Sequence, residues 1–205
     1  MEFVDASPLC WALRARKSNA EVERIRRAVT ITDAAYQALF AEIRPGMSER
    51  EVYQLLAIEH LQRGAEMPGS ITFAPHIPDD TQIHNRTLRR PTDRILTAGE
   101  LMTQDAGGIY RGYWSDYTRM YALERASAEH QDAYRAVYDS MQAAIEVIEP
   151  GVPLPAVACE AGGEGSDSLQ FALLAFSDNV YAAANAARST ASPTASLKVL
   201  RCGQP

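Results

Sequence analysis

Gln104-Asp105-Ala106-Gly107-Gly108-Ile109-Tyr110-Arg111-Gly112-Tyr113-Trp114-Ser115-Asp116-Tyr117-Thr118-Arg119 sets two aspartates on either side of a glycine-rich centre. Leu101 to Ala106 and Tyr113 to Tyr121 read as two strands, the second rich in aromatic and β-branched residues. Gly107, Gly108 and Gly112 bracket a turn between them, which makes the pair a β-hairpin. A hairpin centred between Tyr110 and Arg111 sets Asp105 directly across from Asp116, with Cβ atoms about 4.5–5.5 Å apart. Like charges so placed repel unless a cation lies between them, and hard carboxylate oxygens suit a divalent one. The alternatives are that one Asp faces water or that the hairpin is off-centre by a residue.

Working outward, helices are signalled on both sides. Ser18-x-x-Glu21 forms a capping box, followed by apolar Val22, Ile25, Val29, Ile31, Ala35, Leu39 and Phe40. This helix runs to Arg44, where Pro45-Gly46 cannot continue it. Ser48-x-x-Glu51 opens a second helix with Val52, Leu55, Leu56, Ile58 and Leu61 apolar, stopping at Gly64. Ile71 to Phe73 reads as extended, and Pro75, Pro78, Asp79-Asp80 and Pro91 punctuate a long connection. Ser127 caps a third helix, with Tyr134, Val137, Met141, Ile145 and Ile148 on one face, which ends at Pro150-Gly151. Ile43-Arg44-Pro45-Gly46 and Ile148-Glu149-Pro150-Gly151 resemble one another. They mark either a duplicated helix–helix–strand–strand unit or two independent uses of a common helix stop.

Composition bounds the classes. The 205 residues suit one domain, with 46% hydrophobic and 22% charged residues as in ordinary globular proteins. Lys+Arg 20 against Asp+Glu 26 gives a net charge of −6, which argues against a nucleic-acid surface. The longest wholly apolar run, such as Phe171 to Phe176, is too short to span a bilayer, and no secretory signal opens the chain. Cys10, Cys159 and Cys202 are odd in number and far apart, which fits a reducing cytoplasm better than a disulfide framework. From Gly162 to Pro205 the character changes to an Ala- and Ser-crowded stretch with few charges. The expected division is therefore 1–161 as the folded part and 162–205 as a weakly ordered tail, with a short helix within Leu169 to Ala187 as the alternative.

Asp105 followed by Gly107, then Gly112-Tyr113, Ser115-Asp116 and Thr118-Arg119, resembles the first metal-ligand motif of the M24 metallopeptidases. These are the pita-bread enzymes: Xaa-Pro dipeptidases, aminopeptidase P and methionine aminopeptidases, with creatinase as a relative. Arg16-Lys17-Ser18-x-x-Glu21 with Arg26-x-Ala28, Ile43-x-Pro45-Gly46-Met47-Ser48-Glu49 and Ala98-Gly99-Glu100 are similar to other family turns and entries. The likeness covers roughly residues 10 to 160. It implies an α+β pita-bread fold built of two related halves, with the first half complete here and the second largely missing. It implies that Asp105 chelates one metal and Asp116 bridges two, the pair being Mn²⁺, Co²⁺, Zn²⁺ or Fe²⁺. The implied activity is hydrolysis of Xaa-Pro bonds in short peptides, and the family commonly forms homodimers.

The sequence departs from the pattern after Ala161. The family completes its site with a His and two Glu, yet the histidines here are His60, His76, His84 and His130. The Glu149-Pro150-Gly151 present belongs to the helix stop, and Glu160 and Glu164 sit in no family motif. The expectation is a truncated or frameshifted copy that also lacks the family's N-terminal domain. His84 is the candidate for the family's substrate-binding, proton-relaying His upstream of Asp105, with His76 as second choice. His60 and His130 are expected to face solvent, and Arg119 to anchor its strand. The rival readings are a metal-independent creatinase-like hydrolase or lyase, and a non-catalytic binding module.

Overall fold

A computed structural model describes residues 4–76, 90–152 and 198–200. Both capping boxes form. At the start of α2 (Asn19–Glu42) the Ser18 side chain accepts from Glu21 N, while Glu21 Oε2 accepts from Ser18 N at 2.6 Å. Ser48 and Glu51 repeat this at α3 (Glu49–Gln62). Each box satisfies N–H groups that a helix start otherwise leaves without partners. Ser127 caps α4 (Ala128–Glu146) by accepting from His130 N, and that helix stops slightly ahead of Pro150-Gly151.

One helix lies outside the sequence reading. α1 (Ser7–Ala15) starts on Pro8 and buries none of its residues. Leu9, Trp11 and Leu13 are exposed on it, so the periodicity that reveals a packed helix has nothing to act on.

The strands are β1 (Met67–His76), β2 (Leu101–Tyr110), β3 (Tyr113–Trp114), β4 (Tyr117–Leu123) and β5 (Lys198–Leu200). Among the described residues they form one sheet in the order β1-β2-β4-β5, with β3 continuing the hairpin beside β2. All pairings are antiparallel except the parallel pairing of β5 on β4. Apart from β5, the stretch from Gly162 onward, including the alternative helix within Leu169 to Ala187, lies outside the described residues.

The hairpin is off-centre by one residue. Arg111 at φ +49° and Gly112 at φ +78° make a two-residue turn with both residues left-handed, the type I′ pattern whose twist matches that of paired strands. Tyr110 then pairs with Tyr113, Ile109 with Trp114 and Asp105 with Thr118. The expectation that Asp105 stands directly across from Asp116 is therefore corrected: the off-centre alternative is the one realised. Gly107 and Gly108 are not turn residues either; they lie inside β2.

One face of the sheet is covered by α2 and α3. Ala35, Tyr36 and Leu39 of α2 and Val52 and Leu56 of α3 share a buried cluster with Phe73, Met102, Ala106 and Tyr121. Each large apolar side chain so buried contributes about 1.5–3 kcal/mol before the cost of ordering. The Tyr36 hydroxyl donates to Gln104 O at 3.0 Å and the Tyr121 hydroxyl to Gln104 Oε1 at 3.1 Å, which fixes the helix-facing side of β2. On the opposite face α4 covers only one end, where Tyr134 packs with Leu101, Met120 and Ala122.

The connection from β1 back to β2 is tied down by charge. Arg94 joins two buried carboxylates, Nε to Glu49 Oε1 at 2.9 Å and Nη1 to Glu100 Oε2 at 2.8 Å. Thr92 donates its N–H and hydroxyl to Glu49 Oε2, and Thr97 does the same to Glu100 Oε1. Every oxygen of the two buried carboxylates thus accepts a hydrogen bond, which is the condition for burying them.

Candidate functional site

The pleat of the hairpin distributes its residues between two faces. Gln104, Met102 and Ala106 point to the helices, so Asp105 points to the opposite face, half-buried, between its cross-strand neighbours Thr72 of β1 and Thr118 of β4. Ser115 is buried toward α2, where its Oγ lies 2.7 Å from Thr32 Oγ1. Asp116, the next residue, is exposed, and because the register of β2 is the same on β3 and on β4, the alternation of the pleat assigns Asp116 to the face of Asp105. The two carboxylates share a face, diagonally related rather than opposed. Diagonal neighbours of a sheet lie about 7–8 Å apart at Cα, within reach of a bridging cation but short of severe direct repulsion.

The residues beneath Asp116 form a buried polar chain. Gly108 N donates to Ser115 Oγ at 2.9 Å, and Ser115 N donates to Gly108 O at 3.0 Å. Thr32 Oγ1 in turn lies 3.1 Å from His60 Nε2, and His60 Nδ1 lies 2.8 Å from Leu56 O. His60 is fully buried, which corrects the expectation that it faces solvent. Desolvation pushes its pKa down, with the nearby Arg63 cation acting the same way more weakly and the bond to Leu56 opposing. The signal that could have placed it inward is its position four residues after Leu56, on the apolar stripe of α3.

Both glycines of β2 exist for close approach. A Cβ on Gly107 would stand 2.2 Å from Ser115 O, and one on Gly108 would stand 2.9 Å from His60 Cδ2 and 3.1 Å from Thr32 Oγ1. Side chains at these positions would collide with the partner strand and with the buried histidine respectively. Arg119 lies with its guanidinium 4.0 Å from the centroid of the Tyr117 ring and donates to Thr118 O, an anchoring role. Burial raises the Tyr36, Tyr121 and Tyr117 phenols above their ordinary range, most strongly the first two.

The other histidines are dispersed. His76 ends β1 opposite Leu101, His130 is half-buried in the first turn of α4 rather than fully solvent-facing, and His84 lies outside the described residues. As a donor set for a divalent cation, Asp105 and Asp116 fit in kind, being hard oxygen ligands on one face. They fall short in number: among the described residues no group of three or more His, Cys, Asp or Glu is gathered that could hold a metal ion. No helix among the described residues is long and apolar enough to cross a membrane.

Comparison with known proteins gives a consistent answer. A 153-residue match at 29% identity to the Xaa-Pro dipeptidase of Pyrococcus furiosus covers 74% of this chain and 42% of that protein. An uncharacterized peptidase of Bacillus subtilis, YqhT, is 27% identical over 151 residues, with the same coverage. Among solved structures, the prolidase from Pyrococcus furiosus superposes with a TM-score of 0.68 at 27% identity, covering 78% of this chain and 46% of that one. The chain thus spans less than half the length of the relatives it matches, and over that span its α+β architecture is that part of the pita-bread fold. The sequence model of metallopeptidase family M24 matches residues 23–163, from the second turn of α2 past the end of α4. It takes in both aspartates and the helices behind them, and on that extent the chain belongs to metallopeptidase family M24.

Proposed function

We propose that this chain carries the Asp105 and Asp116 share of a metallopeptidase site acting on Xaa-Pro peptide bonds. The observation that carries the reading is the common face of the two aspartates, set by Asp105 pairing with Thr118 and by Ser115 turning inward. Two carboxylates from adjacent strands are what a pair of hard divalent cations takes, Mn²⁺, Co²⁺, Zn²⁺ or Fe²⁺. Such ions supply Lewis acidity and a water acidified toward neutrality. In this reading Asp105, between Thr72 and Thr118, and Asp116, exposed at the interruption between β3 and β4, would hold the ions. His84 is the substrate-side histidine, and residues 162–205 are a segment distinct from the peptidase-like part. The named activities of the relatives, on Xaa-Pro dipeptides and by aminopeptidase P, support the substrate class.

The test is bound metal together with hydrolysis. Purified protein incubated with Mn²⁺ or Co²⁺ is expected to retain metal on gel filtration, and Asp116→Ala to lose at least tenfold in affinity with its circular dichroism unchanged. Hydrolysis of Xaa-Pro dipeptides that is present in the wild type and absent in Asp116→Ala completes the reading. A wild type that retains neither ion at millimolar concentration overturns it, and one that also fails to hydrolyse Xaa-Pro dipeptides favours a non-catalytic binding module.

A further inference from the structure

We infer that His60, acting through Thr32 and Ser115, is a positioning residue for the Asp116 carboxylate. The inference rests on the proposed metal-ligand role of Asp116 for its purpose, but not for its geometry. The hydrogen-bond directions are determined by the atoms. Leu56 O can only accept, so His60 Nδ1 carries a proton, and in the neutral ring Nε2 is the acceptor. Thr32 Oγ1 then donates to Nε2, which commits its single proton. Ser115 Oγ accepts from Gly108 N, and its own proton faces both Thr32 Oγ1 at 2.7 Å and Gly108 O at 3.3 Å, the shorter contact being the one to Thr32. The chain links the backbone of β2 through two hydroxyls to an imidazole anchored on α3.

This arrangement does something that a packed apolar cluster would not. Between β3 and β4 the ladder is interrupted at Ser115 and Asp116. Asp116 follows Ser115 directly, so the backbone held at Ser115 fixes where the Asp116 side chain leaves the sheet. Ser115 is held by the backbone of Gly108 and by Thr32 at its hydroxyl, with the absence of a side chain at Gly107 leaving room for its carbonyl. Gly108 leaves room for the His60 ring at its Cδ2, so the chain's far end and near end meet at the same glycine pair. A carboxylate that must meet a metal within a few tenths of an ångström needs such a support. Thr32 and His60, on two different helices, link that support to the body of the fold.

Thr32→Val removes the hydroxyl at nearly constant volume, and Thr32→Ser restores it. In metal-free full-length protein at pH 7.5, NMR would read amide hydrogen exchange at Gly108, Ser115 and Asp116 and the side-chain carboxyl ¹³C shift of Asp116. Thr32→Val is expected to speed exchange at these three amides at least tenfold and to shift the Asp116 carboxyl signal. Exchange at Met102 and Tyr121, at the other end of the sheet, should change less than threefold. Thr32→Ser should return both readouts to near wild type. An unmoved Asp116 signal, or acceleration spread evenly over the sheet, overturns the inference by reducing the chain to general packing. A parallel Mn²⁺ titration keeps the two ideas apart: a wild type that binds no Mn²⁺ defeats the metal reading, while the NMR result alone decides the positioning role.

Discussion

At the scale of single residues, the glycine pair of β2 is the most exacting feature of the chain. Gly107→Ala puts a methyl into the backbone carbonyl of Ser115, which cannot yield as a flexible side chain would. Urea denaturation should show a loss of about 2–3 kcal/mol or more, since overpacking against fixed atoms costs this much. Gly112→Ala, by contrast, meets nothing within 4 Å and suffers only its left-handed φ of +78°, so about 1–2 kcal/mol is expected from the same measurement. The pair also explains why the hairpin register was only half legible. Centring on Tyr110 and Arg111 would set Tyr113 against Gly108 and Trp114 against Gly107. Neither ring fits where His60 and the close strand already stand. Shifting the turn to Arg111-Gly112 brings the small Ser115 there instead. Sequence composition identified the aspartates and the hairpin, but the space left by a buried histidine from another helix has no local signature.

At the scale of elements, helices announced by capping boxes and period appear where expected, because those signals are local and chemical. Ser18→Ala and Ser48→Ala should each cost about 1 kcal/mol of stability, read as a lower urea midpoint at unchanged slope. Strand boundaries were less legible. The run from Tyr113 to Tyr121 looks continuous, yet Ser115 and Asp116 interrupt it, where the Ser115 hydroxyl accepts the Gly108 N–H in place of a backbone carbonyl. The connection before β2 depends on Arg94. Arg94→Met removes the cation between Glu49 and Glu100 and strands both carboxylates in the interior. The expected loss is about 3–5 kcal/mol at pH 7, measured by thermal or urea unfolding.

At the scale of the whole molecule, the buried titratable groups set how stability answers to pH. His60 in the fold has a pKa below that of the unfolded chain, near 6.5. Below that pH the unfolded state binds a proton that the folded state refuses, so stability falls as pH drops until the folded pKa is passed. Melting temperatures between pH 8 and 5 should show this decline, and His60→Gln should flatten it. Tyr36 and Tyr121 act in the opposite direction: their pKa values are raised by burial, so stability holds below about pH 10 and is lost as pH climbs above it.

The parallel strand β5 has a consequence for how the chain reaches this structure. β1, β2 and β4 are joined to each other and to α2 and α3 through neighbours in the sequence, whereas Lys198–Leu200 pairs with Tyr121–Leu123 from far along the sequence. A three-residue pairing at such a separation comes late in folding. Until it does, the edge of β4 offers unpaired N–H and C=O groups to any other chain. Val199→Pro, which puts a residue that strands disfavour into this pairing, should therefore leave the melting of the helix-covered core near wild type. It should also increase concentration-dependent light scattering during refolding, so the last strand to arrive serves chiefly to keep one nascent copy from pairing with the next.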